Sequence, residues 1–172
     1  VVFSQPVRGQ FAFTTIDDPF GAKGTQLNGI DGNTVVGAYV DASGTQHAFS
    51  YDGSTYSTID PPGTSGTSVA WGISAGKIVG DYVDSSSQGH GFIYDGNSFT
   101  NLNDPSAGPG GTTGETGKDG TTVVGNYYTE AGGFYQCHGF IYDGTNYSTV
   151  DNPLAVNGTQ LFAVSGSKKV GV

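Results

Sequence analysis

The stretch HGFIYDGNSFTNLNDP, residues 90–105, predicts two β-strands joined by a tight turn. Strand side chains alternate between faces, so His90 and Phe92 lie on the same face of the first strand. Asp95-Gly96 supplies the turn, because glycine adopts positive φ without steric cost. The return strand ends at Asp104-Pro105, since proline has no N–H to donate to a sheet ladder. The stretch therefore predicts a β-hairpin.

The same hairpin occurs twice more, at residues 47–62 and 138–153, within a longer period. Prolines end the hairpin motif at positions 19, 62, 105 and 153, which are 43, 43 and 48 residues apart. Glycines recur at positions 37, 80, 125 and 171, which are 43, 45 and 46 residues apart. Each period holds four short strands that are apolar on both faces, which predicts one blade of a β-propeller. A strand-rich solenoid is the main alternative, although its repeats are shorter, at about 20–30 residues.

Residues 1–19 match the last two strands of a repeat, and residues 154–172 match the first two. Pairing them completes one blade and removes an open sheet edge. We therefore predict a single all-β domain over residues 1–172, a four-bladed β-propeller closed by its N- and C-terminal strands. Its repeats run approximately over residues 20–62, 63–105, 106–153 and 154–172, the last completed by 1–19. A piece of a longer array would have a different number of blades.

Composition excludes several classes of function. The chain of 172 residues has a formal net charge of −9, with one arginine and five lysines, which disfavours nucleic acid and anionic membranes because both need basic patches. No apolar run approaches the roughly 20 residues that span a bilayer. A single cysteine, Cys137, excludes an intramolecular disulfide and a multi-cysteine zinc site. Its place in a repeat strand predicts a buried, inert thiol.

Short motifs in the repeats resemble those of the HAF family of extracellular bacterial repeats. The resemblance is carried by His47-Ala48-Phe49, His90-Gly91-Phe92 and His138-Gly139-Phe140, and by Gly29-Ile30 before Val35-Val36-Gly37 and Gly72-Ile73 before Ile78-Val79-Gly80. The third repeat departs from it, with a glycine-rich, weakly patterned start at residues 108–117 and Lys118 where isoleucine is expected. The resemblance implies a propeller-like bacterial protein that is secreted, extracellular or periplasmic, and it brings no catalytic residue.

The three histidines, His47, His90 and His138, occupy equivalent strand positions and are candidates for ligand contacts. A metal site would need them to converge, whereas equivalent positions on different blades hold them apart. The competing interpretation is a half-buried strand residue that bonds to a neighbouring loop. A residue present in each full repeat is also a poor candidate for a catalytic group, so we assign no catalytic residue.

Acidic residues give little sign of a metal or a reaction. We expect four residues before the strand-ending turns to bond the backbone two residues on: Asp17, Asp60, Asn103 and Asp151. Two glycosidase carboxyl groups could be drawn from Asp17, Asp18 and Asp60, but nothing in the sequence identifies one of them as an acid with a raised pKa. Asp41, Asp84 and Glu130 in polar loops leave calcium open, but no stretch has the alternating acids of a calcium loop. The sequence therefore predicts neither a cofactor nor metal ligands.

Aromatic residues supply the best candidates for a ligand site. Tyr39, Tyr82 and Tyr127 each follow a repeated glycine by two residues. Trp71, the only tryptophan, stands where the other repeats have Asn28, Thr116 and Phe162. Packing between blades competes with a rim of sugar-stacking rings as the role of these residues.

We predict a non-enzymatic, lectin-like propeller whose partners are glycans, with homo-oligomerisation left open. Its repeated sites would use Trp71, Asn28, the three tyrosines and the three histidines. One alternative is a structural or protein-interaction module of the cell envelope. The other is a polysaccharide hydrolase or lyase.

Overall fold

A computed structural model describes residues 2–4, 12–108, 113–131 and 134–172 of the chain. All regular elements in these ranges are β-strands apart from one 3-10 turn. The predicted all-β class is therefore confirmed. No helix in the described ranges is long and apolar enough to cross a membrane.

Sixteen strands are described, and most of them form antiparallel meanders of four. A first hairpin pairs β1 (Val2–Ser4) with β2 (Ala12–Thr14). The first repeat contains β3 (Gly24–Asp31), β4 (Thr34–Val40), β5 (Gln46–Tyr51) and β6 (Tyr56–Thr58). The second repeat contains β7 (Thr64–Ser74), β8 (Lys77–Asp84), β9 (Gly89–Tyr94) and β10 (Phe99–Leu102).

The third repeat follows a 3-10 turn at Pro105–Ala107. It contains β11 (Thr113–Asp119), β12 (Thr122–Ala131), β13 (Phe134–Tyr142) and β14 (Tyr147–Val150). A half repeat then pairs β15 (Leu161–Ser165) with β16 (Lys168–Gly171). Strand β11 occupies the glycine-rich stretch for which the sequence pattern was weak, so the third repeat keeps the architecture of the others.

Successive repeats pack through their first strands. Strand β3 contacts β7, β7 contacts β11, and β11 contacts β15. A single parallel bridge between Gln46 and Thr67 also joins the first two repeats into one eight-stranded sheet. The junctions between repeats are therefore lined by the residues of these first strands.

The predicted closure of the array is not seen in the described part of the chain. Strands β1 and β2 form one two-stranded sheet, and β15 and β16 form another, with no hydrogen-bonded ladder between the two sheets. The four-bladed ring therefore stays a prediction.

The core is built from equivalent residues of the repeats. The phenylalanines of the three repeated triplets, Phe49, Phe92 and Phe140, are each 0% exposed. Burial of such a side chain contributes about 1.5–3 kcal/mol. The valines before the repeated glycines, at positions 36, 79 and 124, are also fully buried. The same sequence positions therefore hold each full repeat together.

The Asp-Gly turns have the predicted conformation. Gly53, Gly96 and Gly144 have φ of 99°, 94° and 105°, in the left-handed region that favours glycine. The preceding aspartate closes each turn through Oδ1; in the second repeat, Asp95 accepts the N–H groups of Asn97 and Ser98 at 2.9 and 2.8 Å.

Candidate functional site

The first strand of each repeat carries a β-bulge at one equivalent position. The register with the second strand shifts between Leu27 and Gly29, and again at the same place in the three later repeats. The residues inside these shifts are the four that vary between repeats: Asn28, Trp71, Thr116 and Phe162. A bulge turns a side chain away from the regular alternation of the strand. The bulge therefore offers each repeat one position that can differ without changing the ladder.

Opposite the bulge, the second strand needs a glycine. A Cβ on Gly37 would lie 1.9 Å from the carbonyl oxygen of Gln26, and one on Gly80 would lie 2.0 Å from that of Val69. Contacts this short with backbone atoms leave no room for any other residue. The glycine period of the sequence is therefore a consequence of the bulge.

At two junctions the bulged side chain bonds to the next repeat. Asn28 donates from Nδ2 to the carbonyl oxygen of Ala70 at 3.0 Å. Thr116 donates from Oγ1 to the carbonyl oxygen of Leu161, the equivalent residue of the half repeat. These bonds satisfy carbonyl groups beside the core and hold neighbouring repeats together.

Trp71 makes a different contact at the junction between the second and third repeats. Its Nε1 donates to Oδ2 of Asp81 in its own repeat at 3.0 Å. Asp81 stands where the first and third repeats have Ala38 and Asn126. The tryptophan and its carboxylate partner are therefore a pair peculiar to the second repeat.

Beside this pair lies a cleft of about 390 Å³ between the second and third repeats. The second repeat contributes Trp71, Asp81 and Ser87 to its lining, and the third contributes Thr116 and Tyr128 among others. Gly114 helps to leave the space open, because a Cβ there would lie 3.3 Å from Oδ2 of Asp81. The other repeats have Gln26, Val69 and Gln160 at the position of Gly114.

Asn126 places an amide in the same cleft. Its Oδ1 accepts the backbone N–H of Leu161 at 2.7 Å, which fixes the orientation of the side chain. The cleft thus combines an indole ring, a carboxylate, an amide and hydroxyl groups, which is the mixture of apolar and polar surface found in small-molecule sites.

The carboxyl group of Asp81 has a strongly perturbed pKa. Burial raises its pKa to about 6, and the hydrogen bond from Trp71 acts in the opposite direction. Losing water disfavours the charged form of a carboxyl group, so further hydrogen-bond donors would stabilise the ion. Asp81 is therefore suited to accept hydrogen bonds from a ligand.

The three predicted tyrosines lie in the core, being 5%, 5% and 3% exposed at positions 39, 82 and 127. The Tyr39 hydroxyl lies 3.0 Å from Thr58 Oγ1, that of Tyr127 lies 2.8 Å from Thr149 Oγ1, and that of Tyr82 donates to Asn101. Their burial agrees with the packing interpretation, and ligand contact by these rings stays a prediction.

The histidines are partly buried and bonded within their own repeats. Each ring lies against a tyrosine, with centroids 5.0, 5.2 and 4.9 Å apart for the three pairs in chain order. Nδ1 of His47 lies 2.6 Å from Asp60, and Nδ1 of His138 lies 2.8 Å from Asp151. His90 bonds Asn103 and Asp84. These contacts match the interpretation of a strand residue bonded to a loop, and the predicted ligand contacts stay untested.

The prediction for the strand-ending residues was wrong at Asp60, Asn103 and Asp151, whose side chains bond the histidines. In three of the four hairpin ends, the residue one position later accepts the turn N–H instead. Asp18 accepts the N–H of Phe20, Asp104 that of Ser106, and Asn152 that of Leu154, each at 2.8–3.0 Å. The triplet that begins with histidine and ends with phenylalanine recurs in each full repeat, always thirteen residues before the acid or amide that bonds its histidine. This constant spacing was the sequence signal for the pairing.

Metal ligands do not come together in the described ranges, where no group of three His, Cys, Asp or Glu residues could hold an ion. Asp41 and Asp84, which had left calcium open, accept backbone N–H groups of their own loops. The hydrogen bond from the Ser43 hydroxyl, together with those backbone bonds, lowers the pKa of Asp41 to about 2, and the backbone N–H of Gln88 and the His90 ring lower that of Asp84. Cys137 is a buried, free thiol, as predicted.

Sequence reasoning identified Trp71 but missed Asp81, Asn126 and Gly114. A sequence signal was present, because each of the three differs from the residues at the equivalent positions of the other repeats. The glycine-rich start of the third repeat hid the alignment of Gly114.

The chain was compared with protein-family models, curated proteins and solved structures, and no match was found in any of them. The resemblance to the HAF repeats therefore stays a prediction.

Proposed function

We propose that the protein binds carbohydrate without transforming it, at the cleft between the second and third repeats. The observation that carries this proposal is the half-buried Trp71 beside the carboxylate of Asp81, a pair that the other repeats lack, in a cleft at this junction. At about 390 Å³ the cleft falls within the usual 300–1,000 Å³ of small-molecule sites. The size and the mixed lining suit one or two sugar rings.

The chemistry of the lining fits a sugar in two ways. The apolar face of a pyranose ring stacks on an indole, which offers a large flat surface with a polar edge. Sugar hydroxyls donate to Asp81, whose charge has lost much of its water. Thr116 and Ser87 add hydroxyl groups to the lining. Stacking and hydrogen bonding thus act on different parts of the same ring.

We propose one principal sugar site, whereas the sequence pattern predicted a similar site in each repeat. The bulged residues Asn28 and Thr116 are used for bonds between repeats. We expect weak binding at this one site, and a Kd of about 1 mM corresponds to about −4.1 kcal/mol.

A hydrolase is the second candidate, because Asp81 has a pKa of about 6 and could donate a proton. Most glycosidases need two carboxyl groups flanking the bond. Asp81 is the only acid among the described residues that line the cleft. This difference favours binding over hydrolysis, and turnover of a labelled polysaccharide by the wild-type protein would reverse the preference.

A glycan array tests the proposal, using the wild-type protein, Trp71→Ala and Asp81→Asn. Asn28→Ala serves as the matched control, because it changes the equivalent bulge of the first repeat. We expect wild type and Asn28→Ala to bind the same glycans, and the two cleft variants to lose at least tenfold in affinity. An array without signal, or equal binding by Trp71→Ala, contradicts the proposal.

We also propose that the half repeat is completed by β1 and β2, which gives the four-bladed ring. Val170 of the half repeat is 59% exposed, whereas Val36, its counterpart in the first repeat, is fully buried against the second repeat. On the first repeat, Ile30 is 56% exposed. Closure would cover both residues. Deleting residues 1–4 should then lower the melting temperature or cause aggregation, and a monomer that melts like the parent contradicts closure.

A secreted location is proposed from the resemblance to the HAF repeats alone. Fractionation of the producing cell with an antibody against the protein tests it, and recovery from the cytoplasm would contradict it.

A further inference from the structure

A second cleft, of about 520 Å³, lies between the second and third repeats. It is bounded by the β7–β8 turn near Ala75 and the β11–β12 turn near Gly120, and Tyr142 forms part of its wall. In an antiparallel meander, the β7–β8 turn and the β8–β9 turn lie at opposite ends of the strands. The Trp71 cleft includes Ser87 of the β8–β9 turn, so the two clefts are separate.

Lys118 enters this cleft from a position that is aliphatic in every other repeat. The equivalent residues are Ile30, Ile73 and Val164. The lysine is partly buried, and its Nζ donates to the carbonyl oxygens of Ser74 and Gly120. Burial lowers its pKa, and the positive charge of Lys77 lowers it further. An ammonium group thus stands where the other repeats have an aliphatic side chain.

Lys77 brings a second ammonium group to the cleft from the second repeat, on an exposed side chain. Three acids lie near the two lysines, and one of them, Asp95, is part of the cleft lining and interacts electrostatically with Lys77. Asp95 accepts the N–H groups of its own turn, and Asp119 accepts that of Gly166 at 2.6 Å. Asp31 and Asp119 act on Lys118 electrostatically. Within the described ranges, the ion pairs at contact distance all involve histidine, so neither lysine has one.

We propose that this second cleft binds an oxyanion, the carboxylate, sulfate or phosphate group of a small ligand, between Lys77 and Lys118. An anion there would neutralise two neighbouring positive charges and form charge-assisted hydrogen bonds with both. Thr100 and Thr121 offer hydroxyl groups, and Ile93 and Tyr142 offer apolar contact to the rest of the ligand. Two of the five lysines of a chain with net charge −9 are gathered in this one cleft.

Nuclear magnetic resonance titration tests this site directly, by following the side-chain signals of all five lysines. Sodium sulfate, sodium phosphate and sodium glucuronate are added separately at constant ionic strength, with sodium chloride and neutral glucose as controls. We expect at least one oxyanion to shift the Lys77 and Lys118 signals in a saturable way, while chloride and glucose leave them unchanged. Comparison of the three salts shows which oxyanion is preferred.

Two variants distinguish a specific anion site from non-specific attraction of anions to lysine side chains. Lys118→Ile restores the residue of the first two repeats and should weaken binding at least tenfold without loss of folding. Lys168→Gln is the matched control, because Lys168 occupies the position of Lys77 in the half repeat. It should leave binding unchanged. Absence of saturable shifts, or unchanged binding in Lys118→Ile, overturns the proposal, and so does an equal loss in Lys168→Gln. Neutral-sugar binding at Trp71 is a separate measurement and does not decide this one.

Discussion

The junction between the first and second repeats and the junction between the second and third are formed by equivalent strands, yet they pack differently. At the former, a Cβ on Gly29 would lie 3.2 Å from the Gly72 Cα. At the latter, one on Gly72 would lie 3.9 Å from the Gly117 Cα. The first junction is closely packed, and the second leaves space between the strands.

The side chain at the β-bulge also makes different contacts at the two junctions. Asn28 bonds across the first junction, whereas Trp71 turns to Asp81 in its own repeat. The junction with the half repeat resembles the first, since a Cβ on Gly117 would lie 2.9 Å from the Ala163 Cα. The array therefore leaves space at one junction while the backbones at the other two stay in close contact.

Glycine substitutions should separate the junctions most clearly. Gly117→Ala forces a methyl group against the Ala163 backbone and should lower the free energy of unfolding by about 3 kcal/mol. Gly72→Ala meets its nearest backbone atom, the Lys118 nitrogen, at 3.7 Å and should cost about 1 kcal/mol or less. Urea unfolding of both variants measures the difference. Equal costs would mean that the two junctions are equally tight.

The carboxyl group of Asp81 should give stability an unusual dependence on pH. Its pKa is raised to about 6 in the folded protein, so between about pH 4 and pH 6 the folded state holds more protons than the unfolded state. Stability should therefore fall as pH rises through this range, by on the order of 2–3 kcal/mol.

Asp81→Asn isolates this effect, because an amide keeps an acceptor for the Trp71 N–H and does not ionise. We expect the variant to match wild type near pH 4 and to be more stable at pH 7. The carboxyl groups with lowered pKa, such as that of Asp41, lose their stabilising effect only below this range. A constant difference between variant and wild type from pH 4 to pH 7 would contradict the burial of a charged Asp81.

The hydrogen bond across the first junction should have a smaller effect. Asn28→Ala leaves the carbonyl oxygen of Ala70, a fully buried residue, without its side-chain donor and should cost about 1–2 kcal/mol. Gln26→Ala is the control, since the Gln26 side chain donates to Oδ1 of Asn28 at an exposed position and makes no bond across the junction. Thermal melting of both variants tests the bond. If Gln26→Ala lowers stability as much as Asn28→Ala does, the loss comes from a change within strand β3 and not from the bond across the junction.

The smallest expected effect concerns the turn of the second repeat. Ala75 has φ of 50°, where the first, third and half repeats have glycine in the left-handed region. An alanine in this region costs about 1–2 kcal/mol, and the greater freedom of unfolded glycine offsets about 0.5–1 kcal/mol. Ala75→Gly should therefore stabilise the protein by about 0.5 kcal/mol. A lower melting temperature for this variant would show that the turn is not strained.

Sequence periodicity was sufficient for the strands, because the alternation in segments such as residues 47–51 and the turn glycines are local signals. It failed at Thr113–Asp119, where glycines weaken the pattern and packing against the neighbouring repeat supplies the strand. Trp71 was found because it is a departure from the repeat. Asp81 also departs from the repeat, but its burial depends on the neighbouring repeat, and this the sequence pattern does not encode.

The most direct test of the cleft is the fluorescence of Trp71, the only tryptophan in the chain. Its emission reports on this one place, so a titration of the wild-type protein with the glycan selected on the array measures occupancy of the cleft. We predict a saturable change in emission whose amplitude or affinity falls when the pH is lowered through about 6, as Asp81 is protonated. Emission that stays constant up to saturating glycan at pH 7 would contradict a sugar site at Trp71.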